Sequence, residues 1–419
     1  MMSGARANLE RTPVTLAQSH GGVSIAESGS PVAGPIRRTP PAWSLVLAIY
    51  AGSRLLTTGI LALAYWLAAV FGWPFADSAT RPDLIGLMGS WDARFYRQIA
   101  LFGYPSQLPM DAHGDVAQNA WAFLPVYPWL TRVLMNATGM DFATAGVLLS
   151  LVFSAGAAIL LQRILMPRIG RTASLWAVVF FCVGPMSFIL QAAYADGLFL
   201  FLMFATLLAM QARRYLLMIP FGVVAAFTHP GALPLAAALG ILLIVSVLRR
   251  EHQPWAERIR MLAAAAAITA ASLAWPVIAS ATTGNGGAYF DTELAWWTGY
   301  VGHTHFFPFT PWFIMAGTYL GVPGIVLVVV VVGLFVLWLL HRSSRVLGDD
   351  ILAFSGSYGA YLFAVFLPQQ SLVRVLLPLS PLLGTPALTR SRAMRRITLG
   401  VFIASQAVAI VFLWFLGPP

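Results

Sequence analysis

Residues Gly324 to Leu340 read GIVLVVVVVGLFVLWLL, an apolar run with no charge in it, set inside a longer apolar segment at 310–340. About 20 consecutive apolar residues suffice for a helix to cross a hydrocarbon core of about 30 Å. Working outward, comparable runs recur near 43–72, 143–165, 172–190, 195–212, 215–229, 231–249, 261–282, 350–367, 372–390 and 397–415. Of the 419 residues, 59% are hydrophobic and 10% charged, where a soluble domain has about 25% charged. So few charges cannot cover a soluble surface of this size. Run lengths of this kind argue against one giant soluble core. The expectation is an all-α polytopic membrane protein of about eleven transmembrane helices.

All 25 basic residues are arginine, and the net charge is +10. In a soluble chain that balance would suggest nucleic acid. Here most arginines flank apolar runs, which points to topology, and no nucleic-acid partner is expected. Cys182, the only cysteine, lies in an apolar run, so no intrachain disulfide can form.

Residues 1–40, rich in Ser, Gly, Ala, Pro and Thr, read as a disordered cytoplasmic tail before a transmembrane domain at 41–419. Segment 121–138 decides the topology. Counted as a span, it puts most arginine clusters outside. Read as an interfacial helix, it leaves Arg163/Arg168/Arg171, Arg213/Arg214, Arg249/Arg250/Arg258/Arg260, Arg342/Arg345 and Arg390/Arg392/Arg395/Arg396 in cytoplasmic loops, with Arg37 and Arg38 on the same side. The positive-inside rule prefers the second arrangement, and Pro125 and Pro128 among aromatics suit an interfacial helix. The amino terminus is then inside and the carboxyl terminus outside. Two long external loops follow, about 73–142 and 283–309, and long ordered loops are where function concentrates.

The first loop contains Trp91-Asp92-Ala93-Arg94-Phe95-Tyr96-Arg97, followed by Gly103-Tyr104-Pro105. Asp92 follows Gly89-Ser90 and sits near the start of a short helix whose stripe Phe95, Ile99 and Phe102 suits the membrane surface. A carboxyl partly desolvated between apolar walls is pushed toward the range of a general base. The structural alternative is a helix cap, or a pair with Arg94 or Arg97. Arg54 lies about a third of the way into the first span, where a charge costs roughly 2.5–3.5 kcal/mol, so it must meet a phosphate or an internal partner. Arg374, at the outer end of its span, is the better phosphate ligand, because guanidinium meets phosphate bidentately. Asp196 opens a span, where a dipole or capping role competes with a site role. His303 and His305 are two apart in the second loop and suit a pyranose or a phosphate. Without a third ligand they make a poor metal site, and none is expected. Asp291 and Glu293 read equally well as solvated acids. Gly284, Gly286 and Gly287 follow a span and not a strand, so they signal a flexible loop and no dinucleotide site.

Taken in order, WDARFY…GYP, Phe123-Leu124-Pro125-Val126-Tyr127-Pro128, Tyr194-Ala195-Asp196-Gly197-Leu198-Phe199 and Arg374-Val375-Leu376-Leu377-Pro378-Leu379-Ser380-Pro381 resemble the PIG-V-like mannosyltransferases of the GT-C superfamily. The resemblance runs from Arg54 to about Pro381. It implies a GT-C-like fold with interfacial helices in the first external loop and a polyprenyl-phosphate sugar as donor, with no further cofactor. It places the catalytic acid on Asp92 behind Trp91, and carries substrate-binding roles to Tyr127, Tyr194, Asp196, Arg54 and Arg374. Where the family often has an Arg-x-x-Gly turn, this chain has Thr228-His229-Pro230-Gly231, a departure that would fit a different sugar or acceptor.

The resulting expectation is an inverting glycosyltransferase at the outer face of the cell membrane, moving mannose to an extracytoplasmic glycolipid or glycan. A transporter or lipid flippase is the rival from another class. It would place ionisable residues at the midplane and show internal repeats, whereas the acids here favour outer loops and no repeat is visible. A non-catalytic subunit of a cell-envelope complex is the third reading, separable by the effect of Asp92→Asn on transfer.

Overall fold

The computed structural model describes residues 41–78 and 80–418, so the expected tail, with Arg37 and Arg38, lies outside the described residues. The described residues are helical, without a named strand. In chain order the helices are α1 (Ala42–Phe71), α2 (Leu84–Leu87), α3 (Ala93–Phe102), α4 (Val126–Thr138), α5 (Phe142–Val183), α6 (Asp196–Gln211), α7 (Tyr215–Ala226), α8 (Leu233–Leu248) and α9 (Trp255–Thr283). They continue with α10 (Ala288–Ala295), α11 (Thr298–Val301), α12 (Pro311–Leu340), α13 (Arg342–Arg345), α14 (Asp349–Val365), α15 (Leu372–Val375), α16 (Pro386–Thr389) and α17 (Arg392–Ile410).

Among the described residues five helical stretches, Ala42–Phe71, Phe142–Val183, Trp255–Thr283, Pro311–Leu340 and Arg392–Phe415, are long and apolar enough to cross a membrane. α6, α7 and α8 are shorter apolar helices. The faces that α12 turns away from the protein carry Val322, Val326, Val329, Leu334 and Leu337, all exposed. Large apolar side chains left outward along whole helices are what a lipid solvent requires, and the chain is a helical membrane protein. α4, from the ambiguous 121–138 segment, has 13 residues and is not among the five.

Two expected spans take a different form. The runs 143–165 and 172–190 both lie in α5, where Gly170 (φ 77°, ψ 170°), after Pro167, leaves helical geometry and separates two helical stretches, the second of which stops at Val183 instead of 190. Gly170 holds a backbone angle that a side chain would resist. The run 372–390 is not a regular span: it divides into α15, a 3₁₀ stretch Leu377–Gly384 and α16, because Pro378, Pro381 and Pro386 each remove a backbone N–H.

α6 sits at the centre. All its residues but Phe201, Leu208 and Gln211 are buried, as its all-round apolar sequence demands. α5 and α7 pack on it, α1 packs on α5, and α8, α9 and α14 complete the bundle. Between α5 and α6 the chain leaves helical geometry within the protein interior, and its carbonyls find partners. Arg54 from α1 donates to Ser187 O and Cys182 O, each at 2.6 Å, and Ser154 and Ser150 of α5 donate to Leu190 O (2.9 Å) and Tyr194 O (3.0 Å). Irregular backbone survives at membrane depth only when paired in this way.

The two long interhelical segments meet at one end of the bundle. Asn119 Nδ2 donates to Thr292 Oγ1 at 2.9 Å, and Trp275 Nε1 to Trp121 O at 3.0 Å. Far along the same helices, Arg168 pairs with Asp350 (3.1 Å), Arg213 with Glu257 (3.2 Å) and Arg249 with Asp349, around a polar recess of about 240 Å³. Arg168 lies 22 residues beyond Gly146 on α5, roughly 33 Å at 1.5 Å per residue.

Candidate active site

Ser90, Trp91 and Asp92 form the turn that enters α3. Trp91 has φ +57°, a left-handed conformation that costs a bulky residue on the order of 1–3 kcal/mol. Three contacts hold it there: its indole N–H donates to Trp414 O at 2.9 Å, its backbone N–H to Asp77 Oδ1 at 3.2 Å, and Asp77 is itself paired with Arg94 at 2.5 Å. The Tyr194 hydroxyl secures the other side, accepting from the Asp92 backbone N–H (3.1 Å) and donating to Ser90 O (3.3 Å).

The side chain of Asp92 makes no capping bond to α3. It accepts from Arg374 Nη1 at 2.7 Å, and Arg374 Nε stands 3.8 Å from Asp196 Oδ1. The guanidinium lies over the Tyr194 ring, 5.3 Å from its centroid. The three charged side chains are 18%, 12% and 10% exposed for Asp92, Arg374 and Asp196. Two carboxylates therefore share one arginine in a nearly closed space, and Arg374 Nε makes no hydrogen bond among the described residues. Asp92 is thus held by an arginine and not left between apolar walls, and Arg94, one of its alternative partners, is occupied by Asp77.

Tyr127 stands behind this group. It is fully buried, donates to Gly146 O at 3.0 Å, and packs edge-on to Tyr96, which packs in turn on Tyr194. A Cβ at Gly146 would lie 2.7 Å from the Ala193 Cβ and 3.0 Å from the Tyr127 hydroxyl, so only glycine admits this approach. In front, Phe95 stacks on Phe123 at 4.8 Å, and Trp296 from the second long segment packs edge-on to both at 5.4 and 5.9 Å. The expected surface stripe on α3 is therefore mostly internal: Phe95 joins this wall, Ile99 is buried, and only Phe102 is well exposed.

The structure brings Asp92, Trp91, Tyr194, Asp196 and Arg374 together, with Tyr127 as support. Arg54 is elsewhere, its two terminal nitrogens spent on the carbonyls of Cys182 and Ser187, at the wall of a recess of about 500 Å³ lined mainly by apolar residues of α1, α2 and α5. His303 faces Asp115 at 3.6 Å on the surface, and His305 is exposed. No group of three or more His, Cys, Asp or Glu among the described residues is placed to hold a metal.

Two residues that the sequence reading gave no site role, His229 in the departing turn and Glu293 as a solvated acid, join the neighbourhood. The His229 ring stacks on Phe199 at 4.7 Å with its Nδ1 buried and unpartnered. Glu293 of α10 lies within electrostatic reach of Asp92, and burial first, then that neighbouring charge, push its carboxyl up to about 7. Its signal in the sequence was the spacing Tyr289, Glu293, Trp296, which puts all three on one helix face.

No protein-family model matches the chain, and no curated protein matches it in sequence. Among solved structures, ArnT from Cupriavidus metallidurans bound to undecaprenyl phosphate is similar at 15% identity and a TM-score of 0.47, over 85% of this chain and 64% of that one. The same protein in the apo state matches at 14% identity and a TM-score of 0.44, over 87% of this chain and 65% of that one. An Archaeoglobus fulgidus oligosaccharyltransferase, in complex with Zn and sulfate, matches at 12% and 0.44, over 88% of this chain and 53% of that one. The chain thus spans less than two thirds of the length of each, and the identities are too low to carry residue roles across.

Proposed function

We propose that the chain is a membrane glycosyltransferase that uses a polyprenyl-phosphate sugar, mannose by its sequence resemblance, and transfers it with inversion to a glycolipid or glycan hydroxyl. The observation that carries this reading is the Asp92–Arg374 contact at 2.7 Å, beside Asp196. A base and a phosphate ligand are thereby adjacent at the end of an apolar bundle where a lipid-borne substrate arrives from the side. The aromatic wall of Phe95, Phe123 and Trp296 supplies the flat apolar surface that a sugar ring packs on.

In this reaction Asp92 takes the proton of the acceptor hydroxyl as that oxygen forms its bond to the anomeric carbon. The bond from that carbon to the phosphate oxygen breaks on the opposite side, and its electron pair leaves with the polyprenyl phosphate. The unpartnered N–H of Arg374 turns to the phosphate and stabilises the charge that grows there. Asp196 holds the guanidinium in place meanwhile. The reading requires no nucleotide, and the catalytic face is extracytoplasmic. Purified protein incubated with labelled polyprenyl-phosphate sugars tests it: transfer from one of them supports the reading, and transfer from none removes it.

A further inference from the structure

We propose that the recess between α1, α2 and α5 holds one hydrocarbon chain of the sugar acceptor, which makes that acceptor a membrane lipid with an O–H or N–H donor where its chain meets its headgroup. The inference deepens the glycosyltransferase reading and rests on it.

The recess, of about 500 Å³, is a trough along a membrane span. Tyr50, Arg54, Thr58 and Leu61 line it from one face of α1, because residues three and four apart share a face. Val147 and Leu151 line it from α5 at the same spacing. The Tyr50 hydroxyl donates to Leu151 O at 3.0 Å and closes one end. At the other end the Tyr65 hydroxyl donates to Pro82 O at 2.7 Å and pins α2, whose Ile85 and Met88 form the roof. Leu61 lies 11 residues beyond Tyr50, roughly 16 Å at 1.5 Å per residue, or about half of a hydrocarbon core of about 30 Å. Leu55 and Ile85 on its rim are 76% and 46% exposed, so the trough opens sideways to lipid. Hydrocarbon is the solvent at that depth, and a mostly apolar lining with a few polar groups is that of a ligand site.

The trough leads to Asp92. Met88, four residues before Asp92, accepts from the Ala193 N–H at 2.9 Å. Gln191 in the lining stands three before Tyr194, whose hydroxyl accepts from the Asp92 backbone N–H at 3.1 Å. Arg374 arrives on α15, next to Val375, whose carbonyl accepts from Tyr358 of α14 at 2.8 Å. Among the described residues, α14 and α15 contribute nothing to the lining. Inversion needs the acceptor oxygen opposite the departing phosphate, so a chain on the Asp92 side belongs to the acceptor. The polar atoms of the trough agree. Gln191, 7% exposed, donates to Thr58 Oγ1 at 3.4 Å and leaves its Oε1 without a hydrogen bond among the described residues. A buried oxygen of this kind calls for a donor, and a polyprenyl chain has no O–H or N–H above its phosphate. Nor does the trough offer that phosphate a cation, since the terminal nitrogens of Arg54 are spent on carbonyls.

The test uses full-length protein in nanodiscs, with dodecyl mannoside and methyl mannoside as acceptors for labelled polyprenyl-phosphate mannose. Dodecyl mannoside with a diazirine at its chain end serves as photoprobe. Label is expected on segments 50–61 and 147–151, and should be lost in Thr58→Trp, whose indole fills the trough from an exposed position. In turnover the ratio of kcat/KM for dodecyl over methyl mannoside should fall at least about tenfold in Thr58→Trp, because a hydroxyl misplaced by about 1 Å can cost ~10²-fold. The ratio should hold in Leu56→Trp, an exposed position of the same helix outside the trough. Label elsewhere, or a wild-type ratio in Thr58→Trp, overturns the proposal. A raised KM for the donor with an unaltered ratio gives the trough to the donor's chain and overturns it as well. Label in the trough of a protein that transfers no sugar overturns the enzymatic reading alone, and the trough remains a lipid-chain site.

Discussion

Replacing Arg374 with methionine leaves two carboxylates facing each other in a site where neither is more than one-fifth exposed. At an effective dielectric of about 20, unit charges near 4 Å apart attract by about 4 kcal/mol, so each contact of Arg374, at 2.7 and 3.8 Å, is of that order before desolvation is subtracted. Removing one partner of a buried pair typically costs 3–5 kcal/mol, whereas replacing the whole set by neutral groups is close to neutral. Arg374→Met should therefore lower the unfolding free energy by about 3–5 kcal/mol. Adding Asp92→Asn and Asp196→Asn to it should bring stability back to within about 1 kcal/mol of wild type. Reversible unfolding in mixed micelles reads both numbers. If Arg374→Met is as stable as wild type, or if the triple variant stays as weak as Arg374→Met, the charge triad is not organised as described.

Three further outcomes are expected. Arg54→Met should cost about 2–4 kcal/mol, because two charge-assisted bonds to interior carbonyls are lost; its KM for a lipid donor should stay unchanged, and a donor-specific defect would return Arg54 to the site. Glu293 has a folded pKa raised from 4.5 to about 7. The folded state thus binds more protons, and stability should fall as pH rises through that window by about 3 kcal/mol; a flat profile, or the same fall in Glu293→Gln, would contradict this. Cysteines at the exposed positions 113 and 305 should label in intact cells with an impermeant reagent, while one at exposed position 252 should not; labelling at 252 would mean that 121–138 spans.

Much of this architecture was legible because lipid imposes a simple rule on sequence. α1, α9 and α12 coincide with apolar runs to within a few residues, or six in the case of α9, and α12 contains the Gly324–Leu340 stretch. The rule fails where backbone chemistry intervenes. Three prolines break the 372–390 run into short turns, and the 172–190 run leaves regular helix after Val183. At the site, the pairing of Asp92 with Arg374 joins residues 282 apart, which no local pattern reveals. Both were nevertheless named from motif order and charge placement. Glu293 reads as a solvated acid because it sits in a polar, glycine-flanked loop, whereas it is partly buried on α10, whose Thr292 meets Asn119, 173 positions away. Arg54 asked for a partner, but that partner is main-chain carbonyl, and main chain leaves no mark in a sequence.

The central claim is that Asp92 removes a proton during sugar transfer, and a positioned base contributes typically 10²–10⁴-fold to rate. Asp92→Asn keeps the size of the side chain and can still accept a hydrogen bond from Arg374, so the fold should persist while turnover collapses. The decisive measurement is single-turnover transfer of labelled sugar from a polyprenyl phosphate by purified wild type and Asp92→Asn, matched for folded protein. A rate at least about 100-fold lower in the variant is the predicted result. Transfer at the wild-type rate would contradict the mechanism.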